Sequence, residues 1–185
     1  MVKTAFLVAL PEEVHHADVL HGIPVFYSGV GKINAALRAA EIIQQGFTEI
    51  INIGSCGSLQ HQLGEIIPVG KVLQDIDGRP LSDYGHTPFE DDSHTIVLDA
   101  ALPHSCFSTD YFYDHKQHAK YSPEYHNMVQ SCSVFDMELF AIAKTCNRNN
   151  VKLRAFKWVS DDGDFEHWKE NCRMSAERVL EMIAG

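Results

Sequence analysis

Cys132-Ser133-Val134-Phe135-Asp136-Met137-Glu138-Leu139-Phe140-Ala141-Ile142-Ala143-Lys144 is the stretch on which the reading of this chain turns. Cys132-Ser133-Val134 reads as the end of a short strand. From Leu139 on, apolar residues recur at three- and four-residue steps, the period of a helix. Glu138 therefore falls at a strand-to-helix junction, and in α/β folds such junctions open into the crevice where ligands bind. A plainer reading serves the same residues: Asp136 would cap the helix and Glu138 would favour its positive end with no ligand involved. Other stretches decide between the two.

Downstream, Leu153 to Val159 is the last strong strand and leads into Ser160-Asp161-Asp162-Gly163-Asp164. The tail from Phe165 to Ile183 puts Trp168, Cys172, Ala176, Val179, Leu180 and Ile183 on one face, which predicts a closing amphipathic helix. Upstream, Ala5 to Leu10 is uninterruptedly apolar, as expected of a central strand covered on both sides, and runs into Pro11-Glu12-Glu13-Val14. Pro24 to Tyr27 reads as a strand entering Ser28-Gly29-Val30-Gly31-Lys32. Ile33, Ala36, Leu37, Ala40 and Ile43 then form a helical stripe that Gly46 stops. Glu49 to Ile53 is a strand feeding Gly54-Ser55-Cys56-Gly57-Ser58. Ile66 to Leu73 is another, with Gly70 marking a bulge or an early end. Asp75 to Asp92 predicts a long irregular loop, and Thr95 to Leu98 and Ser105 to Ser108 short strands. Aromatic-rich Thr109 to Tyr113 precedes a polar, histidine-rich run to about Asn127. The expectation is one α/β domain over residues 1–185, its mainly parallel, mixed central sheet flanked by helices, with acidic and glycine-rich turns at strand ends.

Composition narrows the ligand. A formal charge of −10 with 45% hydrophobic residues describes a globular chain that repels nucleic-acid backbones and anionic membrane surfaces, so a small molecule is the expected partner. No apolar run nears the ~20 residues of a membrane span. Five cysteines without CxxC spacing argue against a disulfide framework or closed zinc site and for a reducing cytoplasm. The short apolar start suits a buried strand and no export.

Single motifs stay weak. Ser28-Gly29-Val30-Gly31-Lys32 is neither a P-loop nor a full G-x-G-x-x-G, and reads more simply as a tight turn into a helix. His15-His16 and His115/His118 lack recognised metal spacing. Cys56 has no base nearby in sequence and reads as a small buried residue. Asp161 and Asp162 would equally cap the last helix.

Together, however, Ser28 to Ala36, Ile51 to Leu59, Phe135-Asp136-Met137-Glu138 and Val159-Ser160-Asp161 resemble, in order, the signature segments of the purine nucleoside phosphorylase and nucleosidase superfamily. The chain looks most like its 5′-methylthioadenosine/S-adenosylhomocysteine nucleosidases. The resemblance implies hydrolysis of an N-glycosidic bond without metal or organic cofactor, commonly by a homodimer. It makes Asp161 the acid that protonates purine N7 and Glu13 the residue that orients and deprotonates water. Glu138 would grip ribose hydroxyls, Met137 would lie against the sugar, Phe112 would stack on the base and the backbone at Tyr113 would read its edge. Ser55 would line the nucleophile pocket, and Ser160 and Lys157 would belong to the substrate site. Asn52 stands where the phosphorylases carry a phosphate-binding arginine, which favours water as the nucleophile.

Departures are Leu10 for a common methionine, Lys157 for a common arginine, and a shorter interval from Leu73 to Phe107 that lacks a helix and part of the substrate cover. Two rivals remain at this point: a nucleoside phosphorylase, and a purine-binding protein without activity.

Overall fold

The computed structural model describes residues 2–90, 94–173 and 176–184. Its strands are β1 (Thr4–Val8), β2 (Val19–Leu20), β3 (Ile23–Tyr27), β4 (Glu49–Gly57), β5 (Ile66–Gln74), β6 (Thr95–Val97), β7 (His104–Ser108), β8 (Val134–Asp136) and β9 (Lys152–Asp161). The helices are α1 (Lys32–Gln44), α2 (Pro123–Ser131), α3 (Leu139–Arg148), α4 (Phe165–Asn171) and α5 (Ala176–Ala184). β1 pairs in parallel with β3 and β4, β4 with β9, β5 with β7 and β7 with β8. Antiparallel contacts of β4 with β8 and β5 with β9 close β4, β9, β5, β7 and β8 into a ring. β2 and β6 are antiparallel edges on β3 and β5. The sheet is mixed as expected, and its register slips beside Gly70 between Val69 and Lys71.

β1 shows why an unbroken apolar run makes a central strand. Ala5 and Leu7 join the buried cluster that contains Ala39, Ile42, Leu139 and Ile142 of α1 and α3. Phe6 and Val8 join the cluster of Ile51, Ile53, Trp158 and Leu180 on the other side. Side chains alternate across a strand, so with both faces covered every position must be apolar.

Four expectations need correction. α1 buries Ala35, Ala39 and Ile42, while Ile33 and Leu37 are exposed at 78% and 61%. Small alanines seat the helix closely on the core and turn a second apolar stripe outward. α2 lies inside the histidine-rich run, started by Ser122, whose hydroxyl accepts the Tyr125 N–H at 3.2 Å, and by Pro123 at its first position. The tail holds two helices where one was expected. Trp168 and Leu180 do not share a face: Trp168 reaches a cavity and Leu180 the core. The first strand stops at Val8, and Pro11–Val14 forms a short 3-10 turn.

Residues 75–90 form the predicted irregular loop, while 91 and 92 lie outside the described residues. Between Leu73 and Phe107 the described residues include strand β6 and no helix. The loop is tied down by Gln74 Nε2 donating to Thr87 Oγ1 at 2.9 Å, by the Tyr84 hydroxyl on Asp75, and by Glu90 paired with Lys144.

Candidate active site

The carboxyl ends of β1, β4, β7, β8 and β9 converge on one cavity of about 330 Å³. The turn after β1 brings Glu13, β4 brings Ser55, β8 leads to Met137 and Glu138, and β9 ends on Asp161. Phe112 and Tyr113 follow β7, and α4 contributes Phe165 and Trp168. All of these line the cavity. Ser160 and Lys157, also expected at the site, do not line it; both are buried behind its wall.

Glu13 is buried. Its Oε1 accepts the Ser55 N–H and the Ser55 hydroxyl, both at 2.7 Å, and its Oε2 accepts the Leu10 N–H at 3.0 Å. Burial raises its pKa, opposed by those donors and the more distant Lys157 charge. Gly54 permits the approach, because a Cβ there would stand 3.2 Å from Glu13 Oε1.

Glu138 does not act as the cap of α3. Its Oε1 accepts the Gly31 N–H at 2.8 Å and its Oε2 accepts the Met137 N–H at 3.3 Å. The glycine turn Ser28–Lys32 thus cradles a carboxylate of the chain itself, a link no local motif announces. Burial, and then the neighbouring Asp136 charge, push Glu138 up to about 7. Asp136 takes the capping role. It accepts the Leu139 N–H at 3.0 Å and the Ser108 hydroxyl at 2.6 Å, and pairs with Lys157 Nζ at 2.8 Å. Burial opposes ionisation of Asp136, but the Lys157 ammonium beside it holds its pKa below the ordinary value. Burial likewise works against the Lys157 charge, and Asp136 and Glu138 keep it protonated.

Asp161 is raised by burial first and by the adjacent Asp162 charge after the opposing hydrogen bonds. Its Oδ1 accepts the Gly163 N–H at 2.9 Å, and its Oδ2 lies 2.8 Å from the Ser160 hydroxyl. That hydroxyl is also 3.1 Å from the Cys56 carbonyl, so one proton serves two acceptors. Gly163 has a φ of +91° and lies flush against the Tyr113 ring, where a Cβ would come within 2.7 Å. Both constraints admit only glycine, and they clamp the acid's loop onto the aromatic one. Cys56 is buried, its Sγ donating to the Trp158 carbonyl at 3.3 Å, and burial pushes its thiol well above the thiolate range.

The sequence puts Trp168 on the apolar face of the closing helix and gives Phe165 no role, yet both line the cavity. Phe165 meets Phe112 edge-on at 5.6 Å and stacks on Trp168 at 5.5 Å, so an aromatic wall faces the carboxylates. Aromatic residues directly after the Ser160–Asp164 turn were the available signal.

No curated protein matches the chain in sequence. Among solved structures it is similar to the futalosine hydrolase of Helicobacter pylori strain 26695, with a TM-score of 0.82 and 19% identity over 99% of this chain and 96% of that one. It is also similar to a Helicobacter pylori 5′-methylthioadenosine/S-adenosylhomocysteine nucleosidase solved with butyl-thio-DADMe-Immucillin-A, at TM-score 0.82 and 20% identity over 100% and 97% of the two chains. A Neisseria meningitidis nucleosidase of the same name, in complex with methylthio-immucillin-A, gives 0.79 and 22% over 99% and 97%. These likenesses establish a shared fold. Residues 11–185 match the phosphorylase superfamily, and the chain belongs to that family.

Proposed function

We propose that the chain is a nucleosidase, which uses water to break the N-glycosidic bond of a purine nucleoside or 5′-thio nucleoside and releases free base and sugar. One observation carries the reading: the cavity combines Glu13, Glu138 and Asp161 with aromatic rings, and among the described residues its lining contains no lysine or arginine. Phosphate entering it would meet carboxylates with no cation to hold it, whereas water meets no such repulsion. Asn52 is buried, its amide donating to the Leu7 carbonyl at 2.9 Å, and supplies no charge either.

The chemistry divides among the three acids. As the bond from the sugar's anomeric carbon to the base breaks, positive charge builds on the ribosyl ring and negative charge on the purine. Asp161, kept protonated to higher pH by burial, delivers its proton to N7. Glu13 takes a proton from water as the water oxygen bonds to the anomeric carbon. Glu138 accepts hydrogen bonds from ribose hydroxyls, which favour its ionised form next to the growing cation. Phe112 offers a face to the base and Met137 an apolar surface to the sugar. Ser160 and Lys157 act from behind, through Asp161 and Asp136.

The structures this fold resembles carry the names futalosine hydrolase and methylthioadenosine/adenosylhomocysteine nucleosidase, which sets the substrates to try first. The test is a chromatographic screen of methylthioadenosine, adenosylhomocysteine, adenosine, inosine and futalosine, with and without phosphate. Base release at equal rates in both conditions is expected. Dependence on phosphate with formation of ribose 1-phosphate would make the protein a phosphorylase, and binding without release would make it a sensor.

The outward stripe of Ile33 and Leu37, with Val30 and the 91%-exposed Phe89, also fits a homodimer. Light scattering coupled to size exclusion should give twice the chain mass, and Leu37→Glu should halve it.

A further inference from the structure

Trp168 connects the aromatic wall to the water-activating carboxylate. Its ring stacks on Phe165 with planes 12° apart, and its indole N–H donates to Ser55 Oγ at 3.2 Å. An indole nitrogen can only donate, so Ser55 must receive it on a lone pair. The serine's single proton is then left for Glu13 Oε1, 2.7 Å away. An ionised carboxylate has about four lone-pair sites. Two on Oε1 are taken by Ser55 and one on Oε2 by Leu10, so the remaining site on Oε2 is the one open to water.

We infer that Trp168 is a positioning residue for Glu13: through Ser55 it fixes which carboxylate oxygen is saturated and which is free to take a proton from water. The indole never touches the reacting atoms in this role. What it removes is the freedom of the Ser55 hydroxyl to turn away, which would leave Oε1 short of a donor and let two orientations of the attacking water compete. The inference concerns one residue of the proposed nucleosidase mechanism, and its structural half stands without that mechanism.

Two readouts test it. Trp168→Phe keeps the ring on Phe165 and deletes the N–H. It is expected to lower kcat/KM by about 3- to 10-fold, the size of one neutral hydrogen bond. The acidic limb of the profile should move to higher pH, because ionised Glu13 has lost an ordered donor. In a Ser55→Ala background the same change should add nothing. Additive losses, or an unmoved acidic limb, overturn the inference. The second readout needs no turnover. The chain has two tryptophans, and Trp168→Phe identifies the Trp168 indole resonance in a nitrogen–proton correlation spectrum. That resonance should shift with pH in the wild type, stop titrating in Glu13→Gln and move upfield in Ser55→Ala. Indifference to Ser55→Ala sinks the relay. A protein that releases no base but shows the indole titration removes the nucleosidase reading alone.

Discussion

Asp136 and Glu138 stand two residues apart and are almost equally buried, at 6% and 7% exposure, yet they are opposite kinds of carboxylate. Asp136 faces the Lys157 ammonium and is held ionised. Glu138 has backbone N–H donors and no ion pair among the described residues, and burial and Asp136 push it up to about 7. Burial cannot account for the difference, and the partner does. Lys157 is the one buried lysine or arginine among the described residues, and it sits behind the cavity on the acid that caps α3. Glu13 and Asp161 follow Glu138: hydrogen-bonded, buried, raised, and without an ion pair among the described residues. Asp136 lines the cavity too, but Lys157 matches its charge and the pair braces the wall, whereas the three lining acids without a cation keep their charge demand for a ligand.

The largest expected effect tests the cavity side. Asp161→Asn and Glu13→Gln should each cut turnover by about 10²- to 10⁴-fold, the range for loss of a positioned acid or base, with urea midpoints no lower than wild type. A wild-type rate in either variant removes that residue's role, and a large drop in stability erases the contrast between wall and cavity. The wild-type profile of kcat/KM against pH should be bell-shaped. It falls in acid as Glu13 takes up a proton and in base as Asp161 loses one, both at pH values above those ordinary for such side chains. Next in size is the wall. Lys157→Met leaves Asp136 as an uncompensated buried charge and should cost about 3–5 kcal/mol in chemical denaturation. Adding Asp136→Asn should recover much of it. A Lys157→Met protein as stable as wild type would mean the pair does not hold the wall.

The legible part of the fold was the part written in local period. β1, α3 and β9 announce themselves through apolar runs and stripes, and four turn motifs in fixed order gave the family. α2 escapes that reading because it begins in the polar, histidine-rich run from Asp114 to Asn127, although Ser122-Pro123-Glu124 is a helix start that needs no apolar stripe. The tail reads as one helix because Trp168 and Leu180 are both large and apolar; nothing local says that one faces the cavity and the other the core. Glu13, Glu138 and Asp161 were legible as candidates from their junctions together with the family resemblance, and the structure gathers them at one cavity. Phe165 and Trp168 were not, because their role depends on which wall α4 packs against. The resemblance puts Lys157 at the site and the structure puts it behind: an ion pair of a buried lysine on β9 with Asp136 on β8 is not encoded in sequence spacing.

The smallest effect separates the two acids most finely. A carboxyl whose folded pKa lies above its unfolded value holds its proton longer when folded, so the folded state binds more protons across that interval and loses stability as pH rises. For Glu138 the interval runs from the ordinary 4.5 to about 7, and at about 1.4 kcal/mol per pH unit the full loss is at most roughly 3.5 kcal/mol. Glutamine keeps an acceptor for the Gly31 N–H and has no charge to desolvate. Glu138→Gln should therefore match wild type below pH 4.5 and exceed it by about 1–3 kcal/mol at pH 8 in urea melts, while losing affinity for ribose. Asp136→Asn reverses the sign, because its folded pKa is depressed: wild-type stability from the pair is present above the ordinary aspartate value and is lost as pH falls through the lower, folded one. If the Glu138→Gln and wild-type curves run parallel from pH 4 to 8, Glu138 carries no stored charge penalty, and the distinction between the two acids reduces to geometry.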